Sequence, residues 1–444
     1  MKIERRRRNS CQTKIMTTTT TTMMIMSLLL IVLCSQQCSN AFSFNNNNIK
    51  QSSSTALFSS SNNSKLKKKK LQSFQRFLEV ECWKQSELRG LETVLLSVSD
   101  ACKQVTRLVQ RAKTDDLYGD ANEAGETNVQ GEVQQKLDTL CNTIFLRAFC
   151  CCNNSVIRAV ASEEEEDTRC CDDIMGVTKS TYDDDIYDDI SSKKKDNGGD
   201  YVAVFDPIDG SKNIDSSLPV GSIFGIYRTS NGAKNPFLQD GASALAVGGY
   251  CLFSATTVLV LTLGSGVHGF TLDPDTGVFL HTHKDIRIPE AGPIYSFNEA
   301  NYHDFDEPVK RYLNALKEGS SSIGIRMNAR YVGALVADIH NVLINGGIYG
   351  YPATRQNPNG KLRLLYECCP MAMIMEQAGG AASTGRGRIL DIQPTEIHQR
   401  VPTYAGSIQN VFELDQFFQY YGDETKDKEN NNNDDDDENN NKEE

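Results

Sequence analysis

Apolar residues recur along this chain at two spacings, and the two spacings predict different secondary structure. Between residues 91 and 108 they recur at steps of three and four, which predicts an amphipathic helix. A second stretch of this kind runs from 133 to 149. The run YVAVF at 201–205 is apolar and rich in β-branched side chains, so it predicts a buried strand.

Further strand patterns follow the first at short intervals. Residues 221–227, 243–254 and 257–263 are strand-like, and 266–272 with the turn DPD at 273–275 begins a hairpin. A new unit begins near 289–293, and strand and helix patterns alternate from there to 418. This alternation is typical of α/β proteins, and the chain is long enough for one large or two ordinary domains.

The two ends of the chain differ in composition from its middle. Residues 1–70 hold twelve Lys/Arg against one Glu, and residues 422–444 hold eleven acids against three Lys. We interpret 422–444 as a low-complexity, disordered tail and exclude it from the fold. Removing both ends from the net charge of −12 leaves about −15 for 71–421. Such acidity argues against a nucleic-acid partner and is compatible with a site that collects Mg²⁺.

The basic N-terminal segment contains a short apolar run at 23–34, which suits a signal peptide and is too short to span a bilayer comfortably. A basic, Ser-rich stretch without acids follows Phe42 and extends to Lys70. This arrangement resembles the bipartite presequence of complex plastids. It predicts that 1–70 are cleaved off and that the mature protein lies in the plastid stroma, without a membrane segment. An ordinary secretory signal with a disordered tail is the alternative.

Eleven of the fourteen cysteines lie beyond residue 70, and none has the CxxC spacing of a zinc site. An odd number without a framework predicts mostly buried thiols in a reducing compartment. Residues 169–200 combine acid runs with Lys and Gly, which predicts a disordered surface insertion. We hypothesise that Cys170–Cys171, at its start, form a redox switch with Cys150–Cys152.

Carboxylates stand at the ends of three predicted strands, where α/β sheets hold their ligands. They are Asp206 and Asp209 after 201–205, Glu163 after the strand at 155–161, and Glu367 before the helix that Pro370 opens. Glu132 and Asp138 flank the start of the second helix. Taken singly, each acid outside DPIDG fits a solvated surface charge better than a metal ligand. A surface turn is the alternative for DPIDG itself.

Carboxylates that converge on one place repel each other unless cations neutralise them, and hard divalent cations prefer oxygen ligands. Two or three Mg²⁺ ions would also hold a phosphate and activate a water, while a spare carboxylate takes its proton. The acids therefore predict the hydrolysis of a phosphate monoester.

Polar and basic residues suited to a second phosphate occur later in the chain. They are Asn298 after a strand at 293–297, Arg330 and Tyr331 before a helical run, Tyr351, Lys361 and Arg363. This set predicts a grip on the distal phosphate of a sugar bisphosphate. Any one of them is equally compatible with an ordinary surface residue.

Several motifs occur together in a fixed order. They are NVQGE at 128–132, SEE at 162–164, FDPIDGS at 205–211, GSIFGIY at 221–227, YSFNE at 295–299, ARYVG at 329–333, NGKLRLLYE at 359–367 and LDIQPTEIHQRVP at 390–402. Together they resemble the fructose-1,6-bisphosphatase family of Mg²⁺-dependent sugar and inositol phosphatases, in its plastid form. The resemblance covers about residues 75–420.

The resemblance implies a layered αβαβα fold, with two mixed sheets between helix layers. It implies an N-terminal α+β domain at 71–285 that carries the metal-site carboxylates. It also implies a C-terminal α/β domain at 286–421 that carries the sugar 6-phosphate site.

The family also implies a role for each matching residue. The metal ligands are Glu132, Glu163, Asp206, the Ile208 carbonyl, Asp209 and Glu367, for two or three Mg²⁺ per subunit, with Mn²⁺ possible. Asp138 and Glu164 activate the water, and Gly210 and Ser211 bind the 1-phosphate. The 6-phosphate is bound by Asn298, Tyr302, Tyr331, Tyr351 and Lys361, with Arg363 beside them. Arg330 reaches in from a neighbouring subunit, which implies a homotetramer.

The sequence thus predicts hydrolysis of D-fructose 1,6-bisphosphate, in carbon fixation or gluconeogenesis. Two alternatives remain open: a sedoheptulose-1,7-bisphosphatase or dual-specificity enzyme, and a non-catalytic acidic protein that binds cations. One departure from the family is Lys212, which follows Ser211 where a second Ser is usual. Another is the segment 228–241, which lacks the cysteines of light-regulated plastid enzymes.

Overall fold

The computed structural model describes residues 71–117, 136–151, 156–175, 201–229 and 235–422. The predicted presequence, Glu132, most of the predicted insertion and nearly all of the acidic tail lie outside these ranges. Within them, no helix is both long enough and apolar enough to cross a membrane.

The described helices form mainly where apolar residues follow helical spacing. They are α1 Phe74–Lys84, α2 Leu91–Arg111, α3 Lys136–Cys150, α4 Cys171–Ile174, α5 Gly241–Ala244, α6 Glu307–Glu318, α7 Leu335–Asn345, α8 Cys369–Gln377 and α9 Ile408–Tyr421. In α2 the residues at the predicted three- and four-residue steps are buried on one face. The helix begins after Gly90, whose φ of 90° lies in the left-handed region that glycine adopts without strain.

The strands follow the predicted order, including the hairpin near residue 273. They are β1 Ile157–Ser162, β2 Arg169–Cys170, β3 Tyr201–Asp209, β4 Val220–Arg228, β5 Leu245–Phe253, β6 Thr257–Thr262, β7 Val267–Asp273, β8 Val278–His283, β9 Ile294–Phe297, β10 Asn328–Ala329, β11 Ile348–Tyr351, β12 Ala381–Ser383 and β13 Thr403–Gly406.

These strands form two mixed sheets. The first has the order β2-β1-β3-β4-β5-β6-β7-β8, in which β1 and β3 are parallel and the remaining neighbours are antiparallel. The second has the order β10-β9-β11-β13-β12, with β9 parallel to both of its neighbours.

Both faces of the first sheet are buried, as the side chains of β3 show. Tyr201, Ala203 and Phe205 pack into an outer core with α1, α2 and α3. Val202 and Val204 point to the opposite face, because successive strand side chains alternate, and pack into an inner core with α7 and α8. The second sheet has α6 and α9 on its other side. The predicted αβαβα order of layers is confirmed.

The start of the predicted insertion is ordered, contrary to our prediction. β2 pairs with β1 and leads into α4, where Cys171 forms a disulfide with Cys150 at the end of α3. This pair lies among the cysteines of the hypothesised redox switch. Of the free cysteines in the described ranges, most are buried as predicted: Cys82, Cys102, Cys141, Cys251, Cys368 and Cys369.

The prediction that a strand ends at Glu367 is wrong. Leu364–Cys368 form a π-helical turn that runs directly into α8. The Glu367 carboxylate accepts a hydrogen bond of 2.6 Å from the backbone N–H of Arg363, and Tyr227 Oη donates to the Leu365 carbonyl at 3.0 Å. These tertiary contacts hold the wider turn, and π-helical turns are frequent at functional sites.

Candidate active site

A cleft of about 320 Å³ brings together residues from the ends of β1, β3, β9 and β11. It is lined by Asp138, Glu163, Glu164, Asp206, Ile208, Asp209, Gly210, Ser211, Lys212, Asn298, Tyr331, Gly333, Leu335, Asp338, Tyr349, Tyr351, Lys361, Leu362 and Glu367.

At one end of the cleft three carboxylates converge. Asp206, Asp209 and Glu367 each offer an oxygen, and these oxygens lie within 4.8 Å of one another. The strand register shifts between Asp206 and Asp209. Such irregularities re-aim side chains next to active sites, and here two carboxylates of one strand reach the same place. The predicted convergence of these acids is therefore seen in the structure.

Burial and mutual repulsion disfavour the charged forms of these three carboxyl groups. Asp206 is 2% exposed, and burial raises its pKa well above the ordinary value, with further increases from Glu163, Asp209 and Glu367. Burial also raises the pKa of Glu367, and Glu163 adds to the rise. Burial raises the pKa of Asp209 to about 7, although the amides of Val336 and Leu335 act in the opposite direction.

This donor set fits a hard divalent cation. Buried carboxylates are stable in the ionised form only if a positive charge compensates them. Carboxylate oxygens are also the ligands that Mg²⁺ and Mn²⁺ prefer. Glu163 and the residue Ile208 line the same end of the cleft and add further oxygens.

The remaining acids of this end are held by contacts between β1 and α3. The Ser162 hydroxyl donates to Asn142 Oδ1 at 2.7 Å and accepts from the Glu164 amide at 3.2 Å. Asn142 lies one helical turn after Asp138 on α3, so this bond places Asp138 beside Glu164. Both acids line the cleft.

Gly210 links the acidic end to the rest of the cleft. Its φ is 77°, and a Cβ atom added there would lie 2.6 Å from the Cβ of Ala334. Only glycine fits this close approach and this conformation. Ser211 and Lys212 follow it, at the start of a 3₁₀ helix, and line the cleft.

Neutral and basic side chains also line the cleft, and we call this group its distal end. Asn298 follows β9, Tyr351 ends β11, and Tyr331 and Lys361 come from the segments between elements of the second sheet. The Tyr331 ring is 41% exposed, so it stands at the surface of the cleft.

Three predicted substrate-binding residues are not among those that line the cleft. Tyr302 Oη bonds to the side chain of Asn314, and the exposed Arg330 donates to its neighbouring carbonyl, that of Ala329. The buried Arg363 donates through Nη1 to the His398 carbonyl at 2.8 Å. Glu132 lies outside the described residues.

Comparison with known proteins decides the family. A family model described as "Fructose-1-6-bisphosphatase, N-terminal domain" matches residues 74–182 and 174–284. The corresponding C-terminal domain model matches 288–419. This chain belongs to the fructose-1,6-bisphosphatase family.

Curated relatives agree with this family. The chloroplastic fructose-1,6-bisphosphatase of Triticum aestivum is 44% identical over 73% of this chain and 76% of its own length. The chloroplastic enzyme 1 of Arabidopsis thaliana is 41% identical over 75% and 78%. The cytosolic enzyme of Solanum tuberosum is 42% identical over 78% and 95%.

Solved structures of the family share the fold. The holo form of Leishmania major fructose-1,6-bisphosphatase is 34% identical and superposes with a TM-score of 0.67, over 79% of this chain and 99% of that one. The predicted resemblance and the sugar-phosphatase fold are confirmed.

Sequence reasoning missed Asp338, which lies in the wall of the cleft and is 1% exposed. The sequence signal that could have identified it is a single carboxylate inside the otherwise apolar run LVADI at 335–339. A buried acid at such a position needs hydrogen-bond donors around it. Here they are the Val332 and Gly333 amides, a few residues earlier, and the hydroxyl of Ser296, which is distant in sequence.

Proposed function

We propose that this chain hydrolyses D-fructose 1,6-bisphosphate to D-fructose 6-phosphate and phosphate, with Mg²⁺ as cofactor. The observation that carries the proposal is one cleft lined by two different groups of side chains. One group is the carboxylate cluster of Asp206, Asp209 and Glu367, and the other is Tyr331, Tyr351 and Lys361. A substrate with two phosphates at opposite ends of a small sugar matches this arrangement.

The metal ligands that we propose are Glu163, Asp206, the Ile208 carbonyl, Asp209 and Glu367, with Glu132 for a further ion. Two or three Mg²⁺ ions per subunit, or Mn²⁺ in their place, would balance this charge. Bound ions polarise the phosphate, lower the pKa of a water and stabilise the leaving oxygen.

The residues beside the cluster supply the proton transfer and hold the 1-phosphate. Asp138 and Glu164 are placed to take the proton of the attacking water, since both line the acidic end. The Gly210 amide and the Ser211 hydroxyl donate to the 1-phosphate. Lys212 adds a positive charge on the same side of the cleft.

The distal phosphate is bound by Asn298, Tyr331, Tyr351 and Lys361. The exposed Arg330 lies on the same short segment as Tyr331, so it is available to the cleft of a second subunit. A homotetramer that exchanges this arginine between neighbours follows as the proposed assembly. For Tyr302 and Arg363 we retain no direct phosphate contact, because their polar atoms bond elsewhere.

We further propose that the mature chain acts in the plastid stroma, in carbon fixation, after loss of residues 1–70. The chloroplastic names of the curated relatives support a plastid location. A cytosolic relative is equally similar, so gluconeogenesis is the alternative role.

A phosphate-release assay tests the activity. With Mg²⁺, fructose 1,6-bisphosphate should release one phosphate, whereas fructose 6-phosphate, the matched control, should release none. Sedoheptulose 1,7-bisphosphate should be the poorer substrate, and equal turnover of both would establish a dual-specificity enzyme instead. No release from either sugar would favour the non-catalytic alternative, in which removal of 422–444 should abolish cation binding.

A further inference from the structure

A short segment of irregular backbone, 330–334, forms part of the cleft wall between the two sheets. It carries Tyr331 and Gly333, and the φ of Gly333 is 85°. Its two ends make backbone bonds, since the Arg330 amide donates to the Tyr295 carbonyl and the Ala334 carbonyl accepts from the Asp338 amide. The residues between them must be fixed by other contacts if their side chains are to meet a ligand accurately.

Asp338 supplies those contacts from the first turns of α7. Its Oδ1 accepts from the Val332 amide at 2.9 Å, and its Oδ2 accepts from the Gly333 amide at 3.0 Å. The hydroxyl of Ser296 also donates to Oδ1, at 2.9 Å. Ser296 lies in β9, two residues before Asn298, so one carboxylate joins the segment to the strand that leads to the distal phosphate site.

The segment 330–334 and the helix α7 that follows it each make one further bond to the stretch 209–213. Asn213 Nδ2 donates to the Val332 carbonyl at 3.2 Å, and the Val336 amide donates to Asp209 Oδ2 at 2.7 Å. These bonds do not involve Asp338. Loss of the Asp338 carboxylate therefore frees the Val332 and Gly333 amides, while the bond from Asn213 to Val332 and the backbone bond from Arg330 to β9 remain.

The chemistry of Asp338 points to function rather than to packing alone. Its helix neighbours Val336, Ala337 and Ile339 are buried and apolar, and an apolar residue at 338 would pack there without the cost of burying a charge. A negative charge in a cleft for phosphates is also unfavourable for the ligand. The hydrogen bonds that the carboxylate accepts from Ser296, Val332 and Gly333 offset both costs. They also fix the conformation of the segment 330–334.

We infer that Asp338 is a positioning residue, which holds 330–334 so that Tyr331 faces the distal phosphate of the sugar. The inference rests on the proposed function. It predicts that loss of the carboxylate weakens the binding of the distal phosphate more than it slows the chemical step.

The test is Asp338→Asn, which keeps the shape of the side chain but turns an NH₂ group toward one of the backbone amides. We expect the KM for fructose 1,6-bisphosphate and the Ki of fructose 6-phosphate to rise about tenfold, the usual effect of losing a bond to a charged group. The kcat should stay within about threefold, because the acidic end is unchanged. The half-saturating Mg²⁺ concentration should stay the same.

Asp415→Asn is the matched control, since Asp415 is a half-buried acid that accepts from Ser383 Oγ at 2.7 Å outside the cleft. It should leave KM and Ki unchanged. Ser296→Ala is a milder second variant and should raise the same Ki by about threefold, even if Asp338→Asn fails to fold.

An unchanged Ki for fructose 6-phosphate in folded Asp338→Asn and in Ser296→Ala would overturn the inference. So would a loss confined to kcat, which would indicate general damage to the site. If the wild-type chain released no phosphate, the proposed function would fail separately. Calorimetric binding of fructose 6-phosphate to wild type and variants would then decide the role of Asp338.

Discussion

At one end of the cleft, carboxylate oxygens of Asp206, Asp209 and Glu367 lie within 4.8 Å of one another, whereas at the other end Tyr331 and Lys361 offer neutral and positive groups. The acidic end is built on a buried strand and a π-helical turn. The distal end is built on strand ends and connecting segments, with side chains that are partly exposed.

The difference separates two tasks. The acidic end is unstable as a set of bare charges and depends on cations, so changes there should act on the chemical step. In the proposed function the distal end contacts the phosphate that does not react, so changes there should act on binding.

The largest effect is expected at the acidic end, with Asp206→Asn. The amide is neutral and of equal size, so the cation site loses a ligand while the packing is kept. We expect kcat to fall at least about 1,000-fold in a phosphate-release assay. Without Mg²⁺, the variant should melt at a higher temperature than the wild type, because one of the mutually repelling charges is gone.

Asp415→Asn again provides the control, because burial also raises the pKa of this acid, which lies outside the cleft. It should keep full kcat. Activity of Asp206→Asn within tenfold of the wild type would show that the carboxylate cluster is not the metal site.

The second prediction concerns the covalent tie near the acidic end. The Cys150–Cys171 disulfide closes a loop with a sequence separation of 21 and fixes the end of α3, whose first turn carries Asp138. Cys150→Ser or a dithiol reductant should lower the free energy of unfolding by about 3 kcal/mol, measured by urea denaturation.

Cys170→Ser is the adjacent control, since Cys170 is not part of this disulfide, and it should lower stability much less than Cys150→Ser. The redox-switch hypothesis further requires phosphate release to differ between the oxidised and reduced forms. Equal activity of the two forms would reject the switch and leave the disulfide a purely structural role.

The third prediction concerns the distal end. Lys361→Ala should raise the KM for fructose 1,6-bisphosphate about tenfold with little change in kcat, because it removes a charged contact to the unreactive phosphate. Steady-state kinetics with Lys310→Ala as control test this, since Lys310 bonds to the His303 carbonyl on the surface. A fall in kcat with KM unchanged would contradict the division of tasks.

The two ends also differ in how far sequence could predict them. The apolar, β-branched run at 201–205 is a local signal, so the strand β3 was predicted correctly, and the structure brings Asp206 and Asp209 together. The turn at Leu364–Cys368 was not, because a short apolar run has no period that separates a strand from a helical turn. Its geometry depends on Tyr227, which is distant in sequence.

The direction in which side chains point was the second feature that the sequence could not predict. Spacing alone placed Arg363 beside Lys361, but the structure turns its guanidinium toward the His398 carbonyl. Asp338 was missed because its donors come from Ser296 and from the segment at 332–333, which only folding brings together. Motifs therefore identified the residues of the cleft better than the contacts that orient them.

The smallest effect is expected at α7, the helix that serves both ends, since it carries Asp338 and its Val336 amide bonds Asp209. Burial lowers the pKa of His340 on this helix to about 4, and the nearby His283 adds to the effect. Its ring bonds to Tyr250 Oη at 2.7 Å.

An unfolded histidine has a pKa of about 6.5, so between these values the unfolded chain binds more protons than the folded one. The contribution of His340 to stability is therefore complete above pH 6.5 and is lost as the pH falls toward 4. Replacing His340 by Gln, which cannot titrate, should make the melting temperature depend less on pH over this range. His303→Gln, at an exposed position, should not. If the melting temperature of His340→Gln changes with pH as steeply as that of the wild type, the loss of stability in acid does not act through α7. The helix would then not be a pH-sensitive support of the two ends.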